Sequence, residues 1–425
     1  MRSGAIAVGG ALLLHAGQAQ AEDDKPTGAG AGTGDWLPVT VPSGGKAQGR
    51  ILNGARVFHL RAHEHDHAFA PGLTGRCWGY NGHVNGPVIE ALEGERVRIY
   101  VTNDLPAPTT VHWHGLILPN GMDGVSGLTQ APIPPGDTWL YEFDLIQHGT
   151  YMFHSHHDTM TQEGLGLTGM FIIHPREPYA PVVDRDFALL LHEYHIPAGA
   201  SRPDPNEMTD FNVLTINGKV FPYVEPLVVR TGQRVRMRIG NLSAMDHHPM
   251  HVHGVEFRVT AMDGQRVPES QQRKQVTTLV AVGQTRDIEF VPTVPGDWIF
   301  HCHMTHHVMN QMGHDFPNMV GVDPDVIDRA MRPLLPGYMT MGAKGMGGMH
   351  HGSMPMPENS IPMAKAMGPF GVPVGLGGMG GVLKVRDQIS DEALAANRDP
   401  GWYAPPDKER ARKATAEELR RDGIA

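Results

Sequence analysis

GDTWLYEFDLIQHGTYMFHSH, residues 136–156, aligns without a gap to GQTRDIEFVPTVPGDWIFHCH, residues 283–303. The constant offset of 147 residues pairs Phe143 with Phe290, Gly149 with Gly296 and Phe153 with Phe300. Upstream, GERVRIYVTN from Gly94 matches GQRVRMRIGN from Gly232, and each is followed by a His-x-His-Gly, HWHG at 112–115 and HVHG at 251–254. The chain therefore holds two copies of one domain. Each copy alternates β-branched and polar residues, as in PVIEAL, RVRIYV, LVVRT and RVRMRI, with Gly, Pro and Asn turns between and no long helical period. Copies of roughly 125 residues patterned this way predict an all-β fold of two Greek-key β-sandwich domains.

The repeat carries four His-x-His pairs: His112/His114, His154/His156, His251/His253 and His301/His303. On a strand, residues i and i+2 share a face, so each pair aims two imidazoles the same way. Burying so many ring nitrogens is costly unless each finds a partner, and a metal is the simplest one. Eight imidazoles can then converge on one cluster. HCHMTHHVMNQM, residues 301–312, adds a second site. Cys302 projects from the face opposite His301 and His303, with His307 and Met312 close behind in sequence and His248 three residues before His251. Two His, one Cys and a weak Met form the ligand set of a blue-copper electron-transfer centre. In the first copy the matching residues are Thr109, Ser155, Met160 and Leu165, so all four of these ligands are lost together while the four cluster histidines stay.

Composition sets the limits. With 26 His but only Cys77 and Cys302, neither a disulfide framework nor a thiolate zinc site fits. A formal charge of −10 argues against a nucleic-acid partner. The N-terminus, MRSGAIAVGGALLLHAGQAQAEDD, reads as a secretory signal peptide with cleavage after Ala21, and its apolar run is too short for a membrane span. No twin-arginine pair is present, so the export route stays open.

Over about residues 50–325, HWHG, HSH, HPMHVHG and HCHMTHHVMNQM together make the chain resemble the multicopper oxidases, of the two-domain, small-laccase-like type with the type B arrangement. The resemblance implies cupredoxin-like (plastocyanin-type) domains and four coppers. It assigns His248, Cys302, His307 and axial Met312 to type 1 copper, His112 and His251 to type 2, and His114, His154, His156, His253, His301 and His303 to the type 3 pair. It further implies oxidation of a small reducing substrate, phenolic or a metal ion such as Cu(I) or Mn(II), coupled to reduction of O2 to water. Asp123 stands where the family has an acidic residue near type 2 copper, suited to relaying protons. Where several three-domain relatives carry Glu before the last type 1 His, this chain has His306, which leaves the second half of the proton path unassigned. With two domains only, the resemblance implies a homotrimer whose clusters lie between subunits. A copper nitrite reductase fits poorly, because that family keeps its type 1 Cys in the first domain.

The expected division is signal peptide 1–21, linker 22–50, first cupredoxin domain 51–176, second domain 177–325, Met/Gly-rich segment 326–380 and C-terminal tail 381–425. The Met-rich stretch, as in MTMGAKGMGGMHHGSMPM, reads either as an arm of soft ligands for Cu(I) or as a low-complexity linker, and a copper-tolerance protein with secondary oxidase activity is the alternative function. GGVLKVRD at 380–387 reads as one more short strand, and KERARKATAEELRRDG as a short solvated helix. Cys77 is expected to be a buried thiol, His63, His65 and His67 a solvated strand edge rather than an accessory metal site, and His192 and His195 hydrogen-bonded or surface residues.

Overall fold

Alternation decides the sheets. In the strand Arg96–Asn103, Val97, Ile99 and Val101 are fully buried while Arg96 and Tyr100 face outward, the period of two expected of a strand with one core face. The computed structural model describes residues 36–197, 199–308, 324–336, 368–371, 374 and 376–424, and within them it is nearly all β and cupredoxin-like. The first sandwich packs a five-stranded sheet that includes Ala55–Ala70, Arg96–Asn103 and Thr138–Asp144 against a four-stranded one ordered Ile89–Leu92, Thr168–His174, Gly149–His154, His112–His114. Its core gathers Trp113, Phe143, Phe153 and Phe171, all nearly inaccessible to water. The second sandwich packs a seven-stranded sheet against a five-stranded one ordered Leu227–Arg230, Gly380–Arg386, Gly296–Cys302, His248–Val252, Thr277–Val280.

The strand Gly380–Arg386 changes the expected division of the chain. It lies inside the second domain's sheet, parallel to Leu227–Arg230 and antiparallel to Gly296–Cys302. Its counterpart in the first domain is Thr168–His174, parallel to Ile89–Leu92 and antiparallel to Gly149–His154. The second sandwich thus runs past the boundary expected at residue 325, and the Met/Gly-rich stretch separates the last two strands of that domain instead of beginning a tail. Close packing marks the equivalence. A Cβ on Gly169 would fall 2.3 Å from the Phe153 ring, and one on Gly381 would fall 2.4 Å from the Phe300 ring, so only glycine lets the last strand lie across each phenylalanine. Most of the Met-rich stretch, the signal peptide and Met312 lie outside the described residues.

The two sandwiches meet through a buried ionic junction. Arg238, 2% exposed, donates from Nε and Nη2 to Asp186, and from Nη1 to Asp287 and to Thr150 Oγ1 of the first domain. Thr150 in turn donates to Asp287 Oδ1 at 2.7 Å. Thr150 belongs to the strand that ends in His154, so the junction fixes the base of a strand that carries site residues. The C-terminal KERARKATAEELRRDG does form the expected short helix, Ala416–Arg421, with Thr415 and Glu418 in a capping box.

Candidate metal centres

Strand register builds the sites. His112 lies opposite His154 and His251 opposite His301, while Trp113 faces Phe153 and Val252 faces Phe300 on the core side. Each antiparallel pair therefore presents imidazoles on one face and core side chains on the other. In the first domain the rings of His112, His114, His154 and His156 pack with centroids 5.3–6.1 Å apart. In the second, His251, His253, His301 and His303 do the same at 4.8–5.7 Å. Among the described residues no ring contact joins the two quartets.

Hydrogen bonds at the backs of the rings turn their free nitrogens inward. His112 Nδ1 donates to Asp123 O and His251 Nδ1 to Val276 O. His154 Nδ1 donates to Ser155 O at 2.9 Å and His301 Nδ1 to Cys302 O at 2.7 Å. The remaining nitrogens then face each other, 3.4 Å between His114 Nδ1 and His154 Nε2, and 3.2 Å between His253 Nε2 and His301 Nε2. Two nitrogens bound to one metal at about 2.0 Å and about 105° stand about 3.2 Å apart, so both pairs fit a shared ion. Burial holds His112, His114, His253 and His301 below the usual imidazole range, neutral and ready to ligate. His154 is the exception. Burial lowers it, but the Glu163 carboxylate, 2.9 Å from Nδ1, and the Ser155 carbonyl outweigh that and hold it above the usual range.

On the opposite face of Gly296–Cys302 the second site closes. His248, Cys302 and His307 bring their donor atoms within 4.8 Å of one another and are all buried. Nδ1 of His248 and Nδ1 of His307 are 3.1 Å apart, and Cys302 Sγ lies 3.4 Å from His307 Nδ1 and 3.7 Å from His248 Nδ1. Those spacings are what a metal bonded at about 2.0 Å to nitrogen and about 2.3 Å to sulfur requires. Burial pushes the Cys302 thiol up to about 12, so a bound cation is what can stabilise its thiolate here. Behind the ligands, Ser243 Oγ pairs with His248 Nε2 at 2.7 Å, and Asp246 Oδ2 lies 3.5 Å from His307 Nε2. Glu193 accepts from the backbone N–H groups of Met245 and Asp246, tying down the loop that leads into His248, and burial and the facing Asp246 push its carboxyl up.

In the first domain an amide occupies the corresponding position. Ser155 and Thr109 stand where Cys302 and His248 stand in the second domain, and Gln162 fills the space between them. Its Oε1 accepts from Ser155 Oγ at 2.5 Å and from Thr109 Oγ1 at 2.6 Å, and its Nε2 donates to Pro108 O at 2.8 Å. Leu165 is fully buried and Met160 is exposed.

A multicopper oxidase profile matches residues 62–178 and a second one matches 197–321. The chain belongs to the multicopper oxidase family. Like other multicopper oxidases it implies four coppers, one of type 1, one of type 2 and two of type 3, and the donor sets above fit them. It is 29% identical over 378 residues to copper resistance protein A of Pseudomonas syringae pv. tomato, covering 76% of this chain and 59% of that protein. The chain thus spans about three-fifths of that relative's length. The structure resembles the multicopper oxidase mgLAC, at a TM-score of 0.58, 26% identity and coverage of 84% and 91% of the two chains. It also resembles a blue copper oxidase from Nitrosomonas europaea, at a TM-score of 0.55, 29% identity and coverage of 59% and 80%.

Other expectations divide. Asp123 sits beside His112, its Oδ1 3.4 Å from Nδ1. Cys77 is fully buried, and burial pushes its thiol up to about 12. His195 Nδ1 donates to Asp210 O, as expected of a hydrogen-bonded histidine. His192 is fully buried against Tyr194, not at the surface, and burial brings it down to about 4. His63, His65 and His67 are half-buried rather than solvated, with His67 Nε2 donating to Gly218 O, and they are not among the described groups whose donor atoms meet. Gln162, Glu163, Glu193, Ser243 and Asp246 escaped the sequence reading because no metal-ligand spacing marks them; only the repeat comparison at Ser155 pointed toward Gln162.

Proposed function

We propose that this protein couples four one-electron oxidations of a reducing substrate, a phenol or a metal ion such as Cu(I) or Mn(II), to the reduction of O2 to two waters. The observation that carries this reading is the sorting of ligands: one buried His/Cys/His set on the back of the strand whose front bears His301, and two four-imidazole half-sites. His248, Cys302 and His307, with Met312 as axial ligand, would hold type 1 copper; His112 and His251 type 2; His114, His154, His156, His253, His301 and His303 the type 3 pair. Copper bound there supplies one-electron redox chemistry and an O2-binding cluster. The chain's own part is to hold these donors in register, to keep His248 and Cys302 dry, and to join the two sites through Cys302 and its neighbours His301 and His303. Asp123, half-buried at His112, is placed to carry protons inward from solvent.

The half-sites support assembly as a homotrimer, each cluster formed by the first domain of one chain and the second domain of its neighbour. His253 and His303 stand exposed, so the second quartet faces outward with room for a partner. In the first domain Ile117, Leu128 and Met160, close in sequence to the histidine motifs, are 66%, 81% and 57% exposed, apolar side chains that a partner subunit could cover. Among the described residues no helix is long and apolar enough to cross a membrane. The N-terminal sequence supports export to the periplasm or medium. Similarity to copper resistance protein A of Pseudomonas favours a second role, copper tolerance, in which the Met-rich stretch gathers Cu(I).

Oxygen uptake with Cu(I) and with a phenol tests the reading. Four donors oxidised per O2, no hydrogen peroxide released and about four coppers per chain are expected. Peroxide as the main product, or one copper per chain, would overturn it.

A further inference from the structure

The pair Gln162–Glu163 in the first domain has no role in the reading above, yet it sits between an abandoned metal position and a half-site ligand. Gln162 is 1% exposed and uses both ends of its amide, accepting from Ser155 and Thr109 and donating to Pro108 O. Its backbone N–H donates to Asp158 O and its carbonyl accepts from Leu167 N, so the short helix Thr159–Gly164 is pinned from inside as well as along its backbone. The next residue, Glu163, places Oε1 2.9 Å from Nδ1 of His154, the nitrogen that faces away from the half-site. That oxygen is shut off from water and has no hydrogen-bond partner of good geometry, since the ring N–H is aimed at Ser155 O. Glu163 itself is half-buried, its side chain 19% exposed, but this one oxygen has given up water, which is costly unless it acts on the imidazole beside it.

The two half-sites differ here. His154 and His301 occupy equivalent positions and each donates Nδ1–H to the next residue's carbonyl. The residue 147 positions beyond Glu163 is Asn310, so the sequence gives the second copy no acid at that place. Resting on the oxidase reading, we propose that Glu163 is a positioning residue of the oxygen-reducing cluster: Gln162, plugged into the place where the second domain holds its Cys-bound metal, locks the Glu163 carboxylate behind His154. The negative charge at Nδ1 fixes the ring plane and makes Nε2 a stronger donor, the role that carboxylates play behind metal-bound histidines elsewhere. The lost metal position of the first domain thus acts as an anchor.

The test uses the full copper-loaded protein and chelator competition, with the blue absorbance of the Cys302 site as an internal control. Glu163→Gln keeps shape and removes charge. It should release cluster copper at about 10-fold lower chelator concentration than wild type, within the range of about 10- to 100-fold seen for such supporting groups. The blue colour and the thermal unfolding of the metal-free protein should not move. Gln162→Met should reproduce the copper loss, and the double variant should lose no more than either single one, because both act through one carboxylate. Cluster copper held as tightly as in wild type by Glu163→Gln would overturn the proposal. So would equal loss of blue colour and stability, which is the mark of a merely structural residue. If wild type itself binds no cluster copper, the oxidase reading fails first, and the two failures are told apart.

Discussion

Arg238→Met is the substitution whose cost the structure defines best. Methionine keeps the length and apolar stem of arginine and removes only the guanidinium. Asp186 loses three contacts of 3.0–3.1 Å but keeps Arg236 Nη2 at 2.5 Å, so it stays paired. Asp287 keeps only the hydroxyl of Thr150 and becomes a buried carboxylate with no cation in contact. Breaking a buried pair by removing one partner costs about 3–5 kcal/mol. The pH dependence has a defined sign. Burial already holds the Asp287 carboxyl above the usual range, against the pull of Arg238 and Arg236, and losing Arg238 raises it further. A native state that binds more protons than the unfolded one loses stability as pH rises, so the deficit of the variant should be largest near pH 8 and shrink toward pH 5. Urea unfolding of the metal-free protein, followed by tryptophan fluorescence, measures both. Arg238→Met with Asp287→Leu should recover most of the loss, because an apolar pair replaces a lone charge. A cost under about 1 kcal/mol at pH 8, or a deficit that grows on acidification, would refute the account of this junction.

Cys302→Ser should be colourless and inactive with electron donors yet bind about three coppers per chain and keep a type 2 signal in paramagnetic resonance, since none of the eight cluster imidazoles changes; retained blue colour would place the site elsewhere. His112→Ala and His253→Ala should each be inactive alone, and co-expressed they should regain about a quarter of wild-type activity, because one pairing in four joins two intact half-sites. Mixed trimers as inactive as the separate variants would refute clusters shared between subunits. A chain ending at Asp325 should fail to fold, because it lacks the strand Gly380–Arg386 that pairs with Gly296–Cys302. Replacing residues 341–365 by a short Gly/Ser linker should instead leave phenol oxidation intact and lower the efficiency with Cu(I); equal retention of both would remove the copper-gathering arm.

The sequence alone determined the repeat, the sheet class and the candidate metal donors, because each is encoded locally. A period of two fixes which side chains share a face, and so His-x-His, and Cys302 between His301 and His303, can be read without knowing any partner strand. The loss of Thr109, Ser155 and Met160 as ligands was legible for the same reason, through a constant offset. What replaced them was not. Gln162 meets Thr109 across a separation of 53 residues, and Glu163 reaches His154 only because the helix Thr159–Gly164 turns back over it. Glu193 reaches the loop before His248 from a different strand, and Arg238 joins Asp186, Asp287 and Thr150 from separate parts of the chain. The last strand of the second domain was hidden for a related reason. GGVLKVR is recognisable as a strand, but the Met-rich stretch breaks the offset, so nothing local says which sheet it enters. That choice is made by the open edge of Gly296–Cys302 and by the Phe300 ring, over which Gly381 alone can pass.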